Sequence, residues 1–528
     1  MAKTDTPSAR LDPGGTAPGS WPPRVAAAVR RHWLLAVLLA AGLVLRVIAL
    51  LAYHPALIYV DTLKYLYGVY PGSDPLGYRI LLKIILAAGD LGTVVFLQHL
   101  LGVAVAVVLY AVLTRRGVPR WLAALAVAPV LLDAYQLQME QTVMPDVWFD
   151  AAVVAGLAVL AWKPVLSAGF AAAGGLLLGA SATIAALGEL LIVPALFWLL
   201  LAAADDGWRR ALARGAALAA AFALPIVAYC SVSYARTGHF WLAHQQAHTG
   251  RLAAAADCAA LRLPPAVRPL CPSPAQQAKG PDYLEHDYKS PLFSAPVPAG
   301  ASRARLIGEL SAAVEQQQAP RVAAAIARDA VRLFALTRDP VASATPISRW
   351  QFQDGYPVYP HWVTLGRGRA IVVGLQSVVG GPFRYRMLAP AYGGPAQVDK
   401  PLAAFLRSYQ LDGGYTPGPL LLVAVLAGVA GSVLALGRRS LRTPAGQTAL
   451  ACLLFTSTAA VLLLVPDVLE FSWRYQLPAV VTLPAAGVLG GCALVRRRRE
   501  RREQEPADPG SPGPRRPDQE PPAATAAA

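Results

Sequence analysis

Apolar blocks follow one another along this chain, and every second loop between them is rich in arginine, an alternation that leaves few folds open. Ten blocks, at roughly 34–53, 91–113, 121–136, 147–162, 166–185, 189–204, 211–230, 417–437, 447–466 and 476–495, have the composition of membrane spans. Several fall short of the ~20 residues that an unaided α-helical crossing needs and are expected to borrow flanking turns. The basic loops hold Arg30 and Arg31, then Arg115, Arg116 and Arg120, then Lys163, then Arg209, Arg210 and Arg214, then Arg438, Arg439 and Arg442, and finally the run 496–499. By the positive-inside rule both termini are cytoplasmic, and the segments 54–90, 137–146, 231–416 and 467–475 lie outside.

Composition agrees. Of 528 residues, 55% are hydrophobic and 15% charged, where soluble domains carry about 25% charged residues. A soluble enzyme and a disordered chain are both excluded. The net charge of +16 reads as topology, because the arginines flank apolar blocks instead of lining a soluble patch; no nucleic-acid partner is expected. Five Cys and eight His are too few and scattered for a zinc module. His244 and His248 lie four apart, yet no carboxylate motif completes a zinc set with them or with His239. The first block follows Arg30, Arg31 and His32 and shows no small-residue cleavage pattern, so it reads as a retained signal anchor.

The expected class is therefore all-α: a polytopic membrane protein of about ten transmembrane helices with a largely helical extracytoplasmic region. Its parts are a disordered cytoplasmic N-terminus (1–30), a transmembrane catalytic module (31–230), an extracytoplasmic loop or domain (231–416), C-terminal transmembrane helices (417–495) and a disordered cytoplasmic tail (496–528). Within the external part, 304–336 predicts two short helices broken near Pro320. The apolar run 370–379, too short to cross, is expected as a buried or interfacial helix. Cys258 and Cys271, thirteen apart on the oxidising side, are expected to pair.

Polar groups concentrate in three external segments. The first contains Asp61, then a short helix predicted over 62–70 with Tyr65 near the same face as Asp61, then Asp74, and then a helix over 77–86 that carries Tyr78 and sets Arg79 and Lys83 one turn apart. A carboxylate there can accept a proton from a hydroxyl while Arg and Lys hold phosphate. Ordinary interfacial snorkelling is the other reading. The second segment holds Asp133, Glu140, Asp146 and Asp150 in apolar surroundings, where acids face a cavity or a partner. A helix start at Pro145 accounts for one of the four better than for all. Glu189 opens the sixth block. In the last loop Glu470, Arg474 and Tyr475 precede the final span, where a guanidinium can contact phosphate, pair with an early acid or simply anchor the interface.

Three of these stretches, YVDTLKYLYG with DPLGYRILLK, MEQTVMPDVWFD, and Trp473, Arg474 and Tyr475 with Pro478, resemble the membrane glycosyltransferases that take a sugar from a polyprenyl-phosphate carrier. That group, the GT-C superfamily, includes protein O-mannosyltransferases and the lipid A aminoarabinose transferase. The resemblance implies a GT-C-like fold and transfer of a sugar to a polysaccharide, glycolipid or protein acceptor at the outer face of a bacterial cytoplasmic membrane. Its partners would be the polyprenyl-phosphate-linked sugar, the envelope acceptor and the bilayer. It makes Asp61 the catalytic base and gives Glu140 and Asp146 the task of positioning the acceptor or, with Asp61, of holding a divalent metal ion (Mg or Mn). Arg79, Lys83 and Arg474 would bind the carrier phosphate, with Tyr65, Asp74, Tyr78, Glu189 and Tyr475 completing the substrate site. The chain departs from common versions in having Asp74, Pro75 and Leu76 where many relatives show His-Pro-Pro, and a single acid at position 61. Acids at the outer face and the lack of repeated halves disfavour a transporter with a midplane site. A flippase for a lipid-linked intermediate and a noncatalytic envelope-assembly protein are the alternatives.

Overall fold

The computed structural model describes residues 27, 29–68, 75–163, 166–203, 207–243, 249–341, 344–355, 363–364, 369–378, 381–390, 392–393, 396–437, 441 and 443–504. Asp74, His244 and His248 lie outside the described residues, as do Arg438, Arg439 and Arg442 and most of both tails.

The first part of the chain is helical nearly throughout: α1 (Trp33–Ala52), α2 (Val60–Tyr67), α3 (Gly77–Ala88), α4 (Leu91–Arg115), α5 (Arg120–Leu132), α6 (Ala134–Gln141), α7 (Asp146–Leu160), α8 (Ala168–Ala182), α9 (Ile192–Ala202) and α10 (Trp208–Thr237). Local chemistry sets several of their ends. Asp90 accepts from the Thr93 amide at 2.9 Å while the Thr93 hydroxyl takes the Asp90 amide, the reciprocal cap of a helix start. Close packing relies on glycine: a side chain at Gly175 or Gly179 of α8 would run into the backbone of Leu218 or Phe222 on α10.

Among the described residues, six helices are long and apolar enough to cross a membrane: α1, α4, α10, and three near the C-terminus, Gly418–Leu436, Pro444–Leu469 and Leu477–Gln504. The pair α5 and α6, bent by 48°, makes a seventh crossing if it is one span. Length thus supports six or seven of the ten expected spans. The blocks at 147–162, 166–185 and 189–204 form helices too short for that test, α9 being preceded by the 3-10 turn Ala186–Leu191. The chain is an all-α, multi-pass membrane protein.

Beyond α10 come α11 (Thr249–Ala255), α12 (Gly280–His286) and α13 (Arg303–Val331), which share a small core of their own around Leu252, Leu270, Leu284, Leu306 and Leu310. The sulfurs of Cys258 and Cys271 are bonded within it, their Cα atoms 5.9 Å apart. Helix α13 is kinked where Gln318 leaves helical geometry (φ −134°, ψ 23°), two residues before Pro320, which is the break that the sequence predicts.

The run at 370–379 is not the expected helix. Strand β3 (Arg369–Val378) pairs antiparallel with β4 (Gly381–Pro390) and with the short β2 (Val363–Thr364). Ile371, Val372 and Val373 are β-branched and Gly374 follows them, a composition that resists helix and suits a ladder. A second pairing joins β1 (Tyr53–His54) to β5 (Gln397–Val398), tying the end of α1 to the entry of α14 (Lys400–Leu411). Then α15 (Gly418–Leu436), α16 (Pro444–Leu469) and α17 (Leu477–Gln504) pack through glycine contacts, Gly431 of α15 meeting Gly490 of α17.

Helices α4, α7 and α17 all run towards one basic end. There Arg116 donates to the Lys163 carbonyl at 2.8 Å, and Arg496 donates to the Gly117 carbonyl at 2.8 Å and the Thr448 hydroxyl at 2.6 Å. Guanidinium groups thus satisfy carbonyls left over where helices end. The acids discussed next lie near the opposite ends of these helices.

Candidate active site

Three distant segments meet at the end away from the arginines. The first is α2. Its start is fixed by Thr62, whose hydroxyl takes the Tyr59 amide at 3.0 Å and donates to the Val143 carbonyl at 2.9 Å. Leu57 adds two backbone bonds to the same loop, Leu57 N to Gln141 O at 2.9 Å and Val143 N to Leu57 O at 3.0 Å. These bonds bring Asp61, in the first turn of α2, close to Asp146, the first residue of α7.

Between the two acids stands Arg474, in the turn before α17. Its Nε and Nη2 donate to Asp146 Oδ1 and Oδ2 at 2.8 and 3.0 Å, and its Nη1 donates to Asp61 Oδ2 at 3.0 Å. Lys64 approaches the other oxygen of Asp61 at 3.5 Å. Burial works against ionisation of Asp61, but Lys64 and Arg474 outweigh it and hold its carboxyl below the ordinary range. The guanidinium also lies 5.4 Å from the Trp350 ring and 5.3 Å from that of Tyr475. Asp61 remains partly exposed while Arg474 is nearly buried.

A second wall comes from the segment between α10 and α14 and from the end of α16. Arg349 donates to the Tyr59 hydroxyl at 3.2 Å and lies 3.7 Å from Asp282 of α12, which in turn is 3.4 Å from His286. Thr345 donates to Glu470 at 3.2 Å. Burial, reinforced by Asp282, pushes the Glu470 carboxyl up to about 7. His286 is raised as well: partial desolvation opposes its charge, but Asp282 and Glu285 prevail and bring it to about 9.

Glu140 belongs elsewhere. It is fully buried, with Arg46 of α1 and His99 of α4 each 2.8 Å from one of its oxygens, and Gly102 leaves the room, since a Cβ there would collide with the carboxylate. Gln98 donates to the Glu140 and Thr142 carbonyls at 2.9 and 2.8 Å and accepts from the Tyr78 hydroxyl at 2.9 Å. Tyr78 is therefore part of the support beneath the site, with the Tyr65 ring edge-on to it at 5.1 Å. Asp133 is a structural tie, accepting from Arg338 at 2.9 Å and from the Thr416 amide at 2.7 Å.

Of the expected substrate-binding residues, Arg474 and Tyr475 are in the cluster. Lys83 is exposed on α3, Glu189 is half-buried in the turn before α9, and the Arg79 guanidinium covers Gly68, whose φ of +72° ends α2. Among the described residues no hydrogen bond or ion pair links these three to Asp61, Asp146 or Arg474. Nor does the donor set suit a divalent ion: both aspartates face a guanidinium, Glu140 is taken by Arg46 and His99, and no group of three His, Cys, Asp or Glu is placed to hold a metal among the described residues.

Sequence reading places Glu470 near Arg474 without giving it a task, and nothing in it marks Asp282, His286, Thr345, Arg349 or Trp350, which lie more than a hundred residues before Arg474.

No protein-family model and no curated protein sequence matches this chain. Among solved structures it is similar to the protein O-mannosyltransferase complex of S. cerevisiae bound to the sugar donor. The identity is 16% and the TM-score 0.32, over 39% of this chain and 34% of that one.

Proposed function

We propose that the chain transfers a sugar from a polyprenyl-phosphate carrier to a cell-envelope acceptor at the outer face of the cytoplasmic membrane. The observation that carries this reading is the Asp61, Arg474 and Asp146 group, with Lys64 beside it, gathered at the ends of membrane helices. An ionised carboxylate that is partly exposed can receive the hydrogen bond of an acceptor hydroxyl, and a fixed cation beside it offsets charge that develops on a departing phosphate.

The acceptor oxygen attacks the anomeric carbon as the bond from that carbon to the phosphate oxygen breaks. The electron pair leaves with polyprenyl phosphate and the hydroxyl proton is drawn off through Asp61. Asp146 holds Arg474 by two parallel bonds and so fixes where its charge sits. The prenyl chain would lie in an apolar groove lined by Ala330, Val331, Phe334, Val425, Ala459 and Leu483. Arg332, next to that groove, stacks over Phe471 at 5.6 Å, three residues from Arg474. The alternating basic loops support placing the site outside and both termini in the cytoplasm.

The test uses purified protein in liposomes with radiolabelled polyprenyl-phosphate hexoses and pentoses and an envelope extract as acceptor. Label should move to the acceptor, and Asp61→Asn should lose about 100- to 10,000-fold in turnover while still retaining donor. Intact donor appearing in the opposite leaflet, with no transfer, would identify a flippase instead.

A further inference from the structure

We infer, on the reading that this site transfers a sugar, that Arg338 is the positioning residue for Arg474. Arg474 stands in the stretch 470–476, which belongs neither to α16 nor to α17, so no helical ladder fixes where its guanidinium sits. Within that stretch the backbone is held by isolated bonds, Tyr475 N to Ser472 O at 3.0 Å and Leu477 N to Arg474 O at 3.1 Å. Yet the guanidinium meets Asp146 at two points and Asp61 at a third. A misplacement of about 1 Å breaks such a geometry and can cost ~100-fold in rate.

The turn is braced through its side chains by the stretch that follows α13. Arg332 lies over the Phe471 ring at 5.6 Å and Arg338 over the Trp473 ring at 5.5 Å, and the two rings meet edge to face at 5.3 Å. Trp473 is the residue before Arg474. Each arginine is anchored by an acid, Arg332 by Asp329 at 3.0 Å and Arg338 by Asp133 at 2.9 Å. The two anchors are unequal. The Arg332 side chain is 29% exposed, whereas Arg338 is 5% and Asp133 0% exposed, so solvent screens the second pair far less. Arg338 also lies over Tyr135 of α6 at 4.2 Å and over Tyr415 at 5.1 Å. Its Nη1 makes no hydrogen bond among the described residues, so the three rings offset what remains of its charge. The Asp133 carboxylate accepts from the Tyr135 amide at 3.0 Å and the Thr416 amide at 2.7 Å as well, which fixes the cage to the start of α6 and the approach to α15. Among the described residues no hydrogen bond or ion pair joins Arg338 to Asp61 or Asp146, so its influence on the site passes through Trp473.

The experiment compares the full chain as wild type, Arg338→Met, Arg338→Lys and Trp473→Leu, each alone and combined with Arg474→Lys. In the liposome assay Arg338→Met and Trp473→Leu should drop ~10- to 100-fold in kcat with the donor KM within about twofold, because what they disturb is alignment in the transition state. Arg338→Lys, which keeps the cation, should recover part of that loss. Where Arg474→Lys has already removed the two-point contact, the same changes should cost less than about threefold more. Wild-type kcat in folded Arg338→Met overturns the inference, and so does an equal loss in both backgrounds, which would mean that Arg338 acts independently of Arg474. Trp473→Leu leaves the pair of Arg338 and Asp133 in place, so if Arg338→Met does not fold, a full kcat in Trp473→Leu overturns the inference equally. Hydrogen exchange in nanodiscs gives a reading that needs no turnover: the amides of Tyr475 and Leu477 should exchange ~10-fold faster in Arg338→Met or Trp473→Leu than in wild type, and unchanged rates overturn the brace. If wild type transfers sugar from none of the donors, the sugar-transfer reading fails by itself, while the exchange rates still decide whether Arg338 fixes the turn.

Discussion

Arg474 grips Asp146 by two parallel bonds, Nε to Oδ1 at 2.8 Å and Nη2 to Oδ2 at 3.0 Å, across 328 positions of sequence. The planar guanidinium alone matches both oxygens and still has a nitrogen for Asp61. Arg474→Lys should therefore fold but lose the fixed geometry, with turnover falling ~100-fold in the liposome assay. Arg474→Ala leaves two acids without their partner and should cost roughly 3–5 kcal/mol in stability, read from thermal melting of the purified protein. Turnover near wild type in Arg474→Lys would show that the two-point contact is dispensable.

The fully buried Glu140 should behave as a structural residue. Glu140→Ala strands Arg46 and His99 in the interior, so a loss of roughly 3–5 kcal/mol is expected. Gly102→Ala should destabilise as well, because its methyl collides with the same carboxylate. The folded fraction of Glu140→Gln should keep the donor KM of wild type. A normal melting curve for Glu140→Ala with abolished turnover would instead place Glu140 in the chemistry.

His286 gives a pH dependence of stability with a definite sign. Its folded-state value is raised to about 9, partial desolvation being outweighed by Asp282 and Glu285, so the stabilisation is fully present below its unfolded value of 6.5 and fades as pH rises through about 9. The side chain is well exposed, and solvent screening keeps the effect small. Melting temperatures in nanodiscs should fall between pH 7 and 10 in wild type and fall less in His286→Gln. Parallel curves for the two proteins would remove His286 from the linkage.

Membrane orientation is open to a direct chemical test. A cysteine in place of Ser302 should react with an impermeant maleimide on intact cells, and one in place of Ser511 only after permeabilisation. Reversed labelling would invert the orientation drawn from the basic loops.

Much of this architecture is written locally. A span needs only consecutive apolar residues, and its direction only the arginines beside it, so the helices α1, α4, α10, α15, α16 and α17 can be found from a window of about 20 residues. The short helices α2 and α3, the kink near Pro320 and the gathering of acids in two loops are equally local, since proline, capping hydroxyls and i,i+4 spacing act within a turn or two. The strand at Arg369–Val378 is the exception: an apolar ten-residue run suits either helix or strand, and the partner strand decides.

Partnership is what the sequence by itself left open. The same string contains Asp61, Asp133, Glu140 and Asp146, and nothing within it says that Asp61 and Asp146 meet Arg474 while Glu140 meets Arg46 and Asp133 meets Arg338. That choice depends on Thr62 and Leu57 bonding to the loop before α7, which sets two acids 85 positions apart beside one guanidinium, and on Gly102 leaving space for the third. The physical reason is distance. A buried charge is tolerated only where a counter-charge reaches it within about 4 Å, and such proximity between segments separated by tens to hundreds of residues is fixed by how the helices pack, not by any local pattern.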